Sequence, residues 1–445
     1  MIKLKTLAIP AAALAGAATM AILPGQGAVA QDQDTYRELE NFLSVFERVR
    51  ANYVEEVDDH ELIKGAIDGM LASLDPHSSY VEASDFRDMR VTTDGNYGGV
   101  GLTVSSRDGA VIVIAPTEDT PADRAGIKAG DYITHVDGDL LFGLHVDDSV
   151  ELMRGKPGTD VTLTIVRPGR DKPFDVTVTR EIIDLRPVKW EVVDGIGIIN
   201  LNRFSANAGS EVAEAIRSVK KAHGGEPRGY VLDLRSNPGG LLDQAIEVSD
   251  IFLERGEIVS ERGRRKDDIE RFYATKGDLT DGAPVVVLVD AGSASASEIV
   301  AGALQDHRRA VVMGQRSFGK GSVQTVIQTG PEAALRLTTA RYYTPSGKSV
   351  QAGGIEPDIA VPQLSDPDYF DRPVFREADL RRHLVAQDGV EDEVLEDDAN
   401  DDPRFSETAE SLEEKGIDDY QLHYALRTLE RVAMATAAGT AGGRK

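Results

Sequence analysis

The sequence predicts a multidomain α/β protein with helical segments at both ends. Its 445 residues exceed what a single hydrophobic core usually organises, so two or more domains are expected. Apolar periodicity is helical up to about residue 74 and strand-like from about 90 to 170. Beyond Glu181, short apolar runs alternate with helical stripes, the order that builds a layered sheet with largely parallel strands.

Taken in order, Leu39, Phe42, Leu43, Phe46, Val49 and Tyr53 recur at helical spacing over 34–54. A second helix carries Leu62, Ile63, Ala66, Ile67, Met70, Leu71 and Leu74, and Asp75-Pro76 stops it. The two apolar stripes need a cover: each other, the core or a second subunit. Runs at 100–104, 110–115, 132–136 and 161–166 are bounded by Gly, Asp and Pro and read as strands. Short helices are expected at 121–130 and 147–154. The alternating region gives strands at 197–201, 230–234, 285–289 and 310–313, with helices at 210–222, 241–253 and 295–304. The unbroken run Val285-Val286-Val287-Leu288-Val289 suits a strand buried on both faces. Residues 388–402 hold nine Asp or Glu and no Lys or Arg, which predicts a solvated linker. Leu422, Ala425, Leu426, Leu429, Val432 and Ala433 then mark a final amphipathic helix.

Composition narrows the chemistry. Hydrophobic residues make up 41% and charged residues 28%, as in soluble globular proteins. A net charge of −26 repels phosphate backbones, so nucleic acid is excluded as a partner. The absence of cysteine removes disulfides, thiolate nucleophiles and Cys-bound zinc. Eight histidines include no H-E-x-x-H pair, so no metal and no cofactor are expected. Residues 1–30 read as an export signal. Lys3 and Lys5 precede an apolar stretch over 7–23, and Ala28-Val29-Ala30 predicts cleavage before Gln31. The alternative is an uncleaved membrane anchor. Either way the mature chain is expected outside the cytoplasm, in the periplasm or another extracytoplasmic space.

Three loops follow strands in the alternating region, where open α/β sheets place their sites. The first is Asp233-Leu234-Arg235-Ser236-Asn237-Pro238-Gly239-Gly240, whose glycines let backbone N–H groups face a ligand. The second, Gly292-Ser293-Ala294-Ser295-Ala296-Ser297-Glu298-Ile299, leads into a helix. Ser295-x-x-Glu298 has the form of a capping box. A hydroxyl at that position also sits in the positive end of the helix dipole, where a developing oxyanion gains stabilisation. The third loop, 314–322, holds Lys320. A serine hydroxyl needs a base, and a lysine amine serves if burial keeps it neutral. Phe318, Gly319 and Gly321 place no carboxylate beside it in sequence. Gly314 to Lys320 also matches the start of a phosphate-binding loop. Gly321 stands where Ser or Thr is required, however, and Val323-Gln324-Thr325-Val326-Ile327 alternates like a strand, not a helix.

Read together, these motifs resemble the carboxyl-terminal processing peptidases, or tail-specific proteases. The resemblance spans 34 to about 362. It includes Leu74-Asp75-Pro76-His77-Ser78-Ser79-Tyr80, Tyr97-Gly98-Gly99-Val100-Gly101-Leu102 and Ala125-Gly126-Ile127-Lys128-Ala129-Gly130-Asp131. It continues through Arg154 to Thr159, Leu234 to Gly240, Ser293 to Ile299, Gly319-Lys320-Gly321, Tyr343 to Gly347 and Gly354 to Asp358. The resemblance implies a crotonase-like layered α/β peptidase core with an inserted α+β PDZ domain. It makes Ser295 the nucleophile, Lys320 the general base and Gln324 the residue that orients the amine. Gly240 and Ala296 N–H groups would form the oxyanion hole, with Gly239 as the alternative if the loop register differs. Ser293 and Ser297 are weaker candidates for nucleophile. Gly98, Gly99, Val100, Gly101 and Leu102 would receive a substrate's terminal carboxylate while the peptide adds as a strand. Arg154 lies where PDZ loading could couple to catalysis, and His77 is expected to be structural.

The implied organisation is a signal peptide at 1–30, a helical segment at 31–85 and a PDZ domain at 86–170. A serine peptidase core at 171–365 and an acidic linker with final helix at 366–445 complete it. The implied function is a serine endopeptidase acting near protein C-termini through a Ser/Lys dyad. Expected partners are unfolded or C-terminally exposed protein substrates, an adaptor or regulatory protein, and further copies in a homo-oligomer. The rival readings are a catalytically inactive PDZ scaffold and a crotonase-like acyl-transfer enzyme.

Overall fold

The computed structural model describes residues 26–385 and 404–442, apart from 83, 84, 87, 88, 90–92, 94, 108, 118, 171, 185, 186, 276, 331 and 332. Most of the export signal expected at 1–30, and the acidic linker expected at 388–402, lie outside the described residues. Among the described residues no helix is long and apolar enough to cross a membrane.

The chain divides into two compact units, 1–70 and 71–445. In the first, α1 (Gln26–Asn52) and the start of α2 (Asp59–Ala72) carry the expected stripes. Leu39, Phe42, Leu43, Val49 and Tyr53 on α1 are exposed.

The second unit holds three layers of structure. Next to the short strand β1 (Ser79–Val81) in sequence comes β2 (Asn96–Gly99), and then a compact antiparallel sheet. Its strands are β3 (Leu102–Arg107), β4 (Ala110–Pro116), β5 (Tyr132–Val136), β6 (Asp139–Leu140), β7 (Asp160–Val166) and β8 (Phe174–Thr179). Their order is β3-β4-β5-β7-β8, with β6 on β5 and β3 at an open edge. A short helix α3 (Pro121–Arg124) and α4 (Val146–Met153) close Val111, Ile133, Leu163 and Ile165 into a core. β8 pairs with β7, so this sheet runs past the boundary expected at residue 170. The run expected as one strand at 100–104 breaks at Gly101, whose φ of 81° ends the extended conformation.

After β9 (Glu181–Asp184), which pairs with β2, the alternating region forms a six-stranded sheet. The order is β10 (Val188–Val193), β11 (Ile196–Leu201), β12 (Tyr230–Asp233), β15 (Val285–Val289), β16 (Ala310–Gly314) and β19 (Ile359–Ala360). Strands β11 to β19 are parallel and β10 is an antiparallel edge. Helices α5 (Ala208–His223), α6 (Leu242–Phe252) and α7 (Ala296–Asp306) cover one face, packing Val212, Val248, Phe252 and Val300 against Ile199, Leu232 and Val287. The other face is covered by the C-terminal helices α8 (Ala409–Glu414) and α9 (Tyr420–Gly442). Leu412, Tyr420, Ala425 and Leu429 lie there on Ile198, Val231, Val286 and Leu288. The final helix therefore completes the peptidase core. Arg235 at the end of β12 is clamped between Asp233 and Asp419, each at 2.7 Å, which fastens this helix to the first site loop.

A second, antiparallel sheet runs β1-β18-β13-β14, with β17 also on β18. It comprises β13 (Gly256–Arg262), β14 (Ile269–Ala274), β17 (Ser322–Gln328) and β18 (Ala334–Tyr343). Only the 323–327 part of it was expected as strand. Its half-exposed strands mix charged and apolar residues and lack the continuous apolar signal of β15.

Candidate active site

Ser295 precedes α7 with φ 55° and ψ −110°, an arrangement that costs a non-glycine residue about 1–3 kcal/mol. Ser295 and Glu298 take up the capping-box arrangement, but the Ser295 side chain makes no cap hydrogen bond in it. Glu298 Oε2 accepts the Ser295 N–H at 2.7 Å, while the Glu298 N–H is taken by the Ser295 carbonyl at 2.9 Å. The Ser295 hydroxyl is thus left out of the cap. The neighbouring hydroxyls are committed. Ser293 Oγ donates to the Leu234 carbonyl at 2.8 Å and Ser297 Oγ to the Asn237 carbonyl at 2.9 Å, and both residues are fully buried. Of the three serines, only the hydroxyl of Ser295 makes no hydrogen bond among the described residues.

Lys320 reaches the same place from the loop before β17. Its backbone N–H donates to Glu298 Oε2 at 2.9 Å, the oxygen that also holds Ser295. Gly319 N–H and Ser317 Oγ donate to Glu298 Oε1 at 2.7 and 2.6 Å. One buried carboxylate therefore ties the two loops together. Burial pushes the Glu298 carboxyl up to about 7, against the pull of these four donors. The Lys320 amine makes no hydrogen bond or ion pair among the described residues. Burial lowers its pKa, and the charge of Arg336 lowers it further, while Glu377, Glu298 and Asp75 act the other way.

The glycine loop lies against Ser295. A Cβ on Gly239 would stand 2.9 Å from the Ser295 Cβ and 2.9 Å from the Ala296 nitrogen. The Gly239 N–H is occupied by Asn237 Oδ1 at 2.9 Å. Gly240 and Ala296 N–H groups have no acceptor among the described residues. Gly240 has φ 152° and a Cβ there would fall 2.2 Å from the Phe204 carbonyl oxygen.

Gln324 sits on β17, where its amide donates to Ser322 Oγ at 3.0 Å and to Thr338 Oγ1 at 3.3 Å. It makes no hydrogen bond to the Lys320 amine among the described residues. Thr338 Oγ1 in turn donates to Asp75 at 3.1 Å. Burial raises the Asp75 carboxyl, but hydrogen bonds from Ser78, His77 and Thr338 outweigh it and hold the group below its ordinary value. His77 Nε2 contacts the fully buried Glu377 at 2.8 Å. Glu377 accepts from Gln351 at 2.9 Å, and Gln351 Oε1 accepts the Gly321 N–H at 3.0 Å. His77 thus braces the lysine loop through two intermediates. Sequence reading treated Glu298 only as a cap and did not single out Asn237, Gln351 or Glu377. The Ser-x-x-Glu spacing was the one available signal.

The second expected site lies in the smaller sheet. Gly98 to Leu102 run between β2 and the open edge of β3, beside a groove lined by Tyr97, Val150, Met153 and Arg154. The Val100 carbonyl accepts from Ala122 N–H and the Gly101 carbonyl from Thr117 N–H, both at 2.9 Å. Arg154 stacks 5.3 Å from the Tyr97 ring centroid and pairs with Glu151 at 2.9 Å. The Gly155 N–H donates to the Gly98 carbonyl at 3.0 Å.

A strained serine and a buried lysine at the carboxyl ends of a parallel sheet, beside an open-edged antiparallel module, define a hydrolase with a separate peptide-binding domain. The family model of Peptidase family S41 matches residues 195–361 and that of the PDZ domain matches 98–178. The model described as Activating protease CtpB N-terminal domain matches 15–85. The Carboxy-terminal-processing protease of Bartonella bacilliformis is 52% identical over 355 residues, covering 79% of this chain and 82% of that protein. Carboxy-terminal processing protease CtpA of Bacillus subtilis is 35% identical over 330 residues, covering 74% and 69%. Among solved structures, the Photosystem II D1 C-terminal processing protease matches with a TM-score of 0.42 and 29% identity, covering 72% of this chain and 92% of that one. The chain belongs to the carboxyl-terminal processing peptidases, serine-type proteases that carry a PDZ domain.

Proposed function

We propose that this C-terminal processing serine protease works through a Ser295/Lys320 dyad. The neutral Lys320 amine takes the Ser295 proton as Oγ attacks a peptide carbonyl carbon. The carbonyl π pair moves to oxygen, and the Gly240 and Ala296 N–H groups donate hydrogen bonds to the resulting oxyanion. The C–N bond then breaks, and the Lys320 ammonium returns its proton to the departing amine. Water, deprotonated by Lys320, attacks the acyl carbonyl carbon; the ester C–O bond then breaks, the Lys320 ammonium returns the proton to Ser295 Oγ, and the acid product ionises and leaves. Gln324 is assigned to hold the amine, which requires its side chain to turn from Ser322 and Thr338.

The observation that carries this reading is the single Glu298 oxygen shared by the Ser295 and Lys320 backbones, with two unpaired amides beside the hydroxyl. The PDZ loop Gly98 to Leu102 is proposed to capture the C-terminus of unfolded or C-terminally exposed proteins, the peptide adding at the free edge of β3. Export follows from the signal read at 1–30. A homo-oligomer is supported by the exposed apolar stripe of α1, and the regulatory partner by the N-terminal family match.

The test is cleavage of an unfolded substrate carrying an apolar or a charged C-terminus by purified protein. Ser295→Ala and Lys320→Ala are each expected to lower kcat/KM by at least ~10²-fold. Unchanged cleavage in either variant overturns the dyad. Equal cleavage of the two substrates overturns the PDZ assignment.

A further inference from the structure

The sheet that carries the lysine loop also presents a like-charge pair. Arg262 on β13 and Arg341 on β18 are direct cross-strand partners, so their side chains leave the same face with Cβ atoms about 4.5–5.5 Å apart. Neither forms an ion pair among the described residues, although the chain has 75 Asp and Glu against 49 Lys and Arg. Their Nε atoms are both buried and both lack a hydrogen-bond partner. Arg262 is also fixed in plane, its guanidinium lying 3.7 Å from the Tyr343 ring centroid. The neighbouring Glu261 offers no relief, because successive strand residues face opposite sides and Glu261 lies opposite Tyr342.

Two neighbouring guanidinium groups, each with an unmet Nε donor and no ion pair among the described residues, suit a carboxylate, which accepts such a fork with both oxygens. Their place points to whose carboxylate it is. Arg341 is opposite Ser322 on β17, and the Tyr342 N–H donates to the Gly321 carbonyl at 2.7 Å. The row across the sheet thus reads Ser322, Arg341, Arg262, Ile269, and begins two residues after Lys320. By strand rise and spacing, the pair lies about 8–12 Å from Lys320, some two to four residues of extended peptide.

We infer that Arg262 and Arg341 form a clamp for a substrate carboxylate two to four residues from the cleaved bond. The carboxylate is either the terminal one of the departing tail or an Asp or Glu side chain. This rests on the peptidase reading of Ser295 and Lys320 and adds a specificity determinant to it. It is separate from PDZ capture, which uses backbone N–H groups in another sheet.

The test uses the full chain and a peptide whose cleaved bond is first mapped by mass spectrometry. Three versions are compared: a free C-terminus three residues past that bond, its amide, and an Asp/Asn pair at each position two to four residues away. Wild type is expected to prefer the acid over the neutral form by at least ~10-fold in kcat/KM, as for a charge-assisted bidentate contact. In Arg262→Gln and Arg341→Gln the Asp/Asn ratio is expected to collapse toward unity and the acid/amide ratio to fall by the same factor, and Arg341→Lys is expected to retain part of both. Amidation also weakens PDZ capture, but equally in every variant, so only the change of ratio is read. Thermal melting of the unliganded variants is expected at or above that of wild type, since a repulsion is removed. A ratio unaltered by either substitution, or no acid preference in wild type, overturns the clamp. If wild type cleaves none of the peptides, the dyad reading fails first, and equilibrium binding of the same peptides to the Ser295→Ala chain then decides the clamp by the same ratio.

Discussion

The backbone N–H groups of Ser295 and Lys320 converge on one oxygen of Glu298, at 2.7 and 2.9 Å. Residues 25 positions apart are thereby held by an acceptor that is itself fully buried.

Removing that acceptor orphans several donors at once. Glu298→Ala is expected to destabilise the protein by several kcal/mol, at ~1–3 kcal/mol for each donor left unmet. Chemical denaturation measures the loss, and a change below about 1 kcal/mol would contradict the bridging role.

The protonation of Glu298 gives a second readout. Its carboxyl is raised from 4.5 unfolded to about 7 folded. The stability this contributes is full below pH 4.5 and is lost as pH rises through 7, a difference of about 3 kcal/mol. The stability difference between wild type and Glu298→Gln should therefore change across that window. A difference independent of pH would show that the carboxyl does not titrate there.

Lys320→Arg separates charge from basicity. Arginine keeps the cation but cannot give up its proton, so kcat/KM is expected to fall by ~10²–10⁴ while the fold persists. Activity close to wild type would remove Lys320 from the role of base.

The acid limb of kcat/KM should report the Lys320 amine, below the ordinary lysine value of 10.5 because burial disfavours its charged form. Arg336 contributes a further lowering. Arg336→Gln is expected to move that limb to higher pH, and a shift the other way would mean that another group sets it.

Two glycines make a matched pair. Gly240→Ala would drive a methyl to within 2.2 Å of the Phe204 carbonyl oxygen, and is expected to abolish activity by displacing the loop. Gly126 has φ 76° with nothing within 4 Å of its Cβ position. Gly126→Ala should cost only about 1–2 kcal/mol of backbone strain and leave the dyad intact.

Much of this architecture was legible in the sequence because strong signals are local. Val285 to Val289 is a strand because nothing else buries five consecutive apolar residues so cheaply, and β15 has those bounds. The loops that carry Ser295 and Lys320 stood out through motifs in a fixed order. The second sheet was harder, since Arg336, Arg341 and Glu261 interrupt the alternation that would have marked β13 and β18. The roles of Glu377 and Gln351 were not legible at all. Their contacts join His77, Gly321 and a 3₁₀ turn (Glu377–Asp379), and no periodicity records pairs 300 positions apart. The final helix showed its apolar stripe, but not that the stripe would meet Val231 and Leu288 of the parallel sheet.

That helix bears on when the protein becomes competent. Leu429 and Ala425 seal a face formed by strands made some 140 to 230 residues earlier, judging from Leu288 and Ile198. A nascent or clipped chain ending before residue 404 would hold Ser295 and Lys320 yet leave the back of its sheet oily and sticky. Because the segment that covers the back of the sheet is made after Ser295 and Lys320, those strand faces stay open to water until it is present.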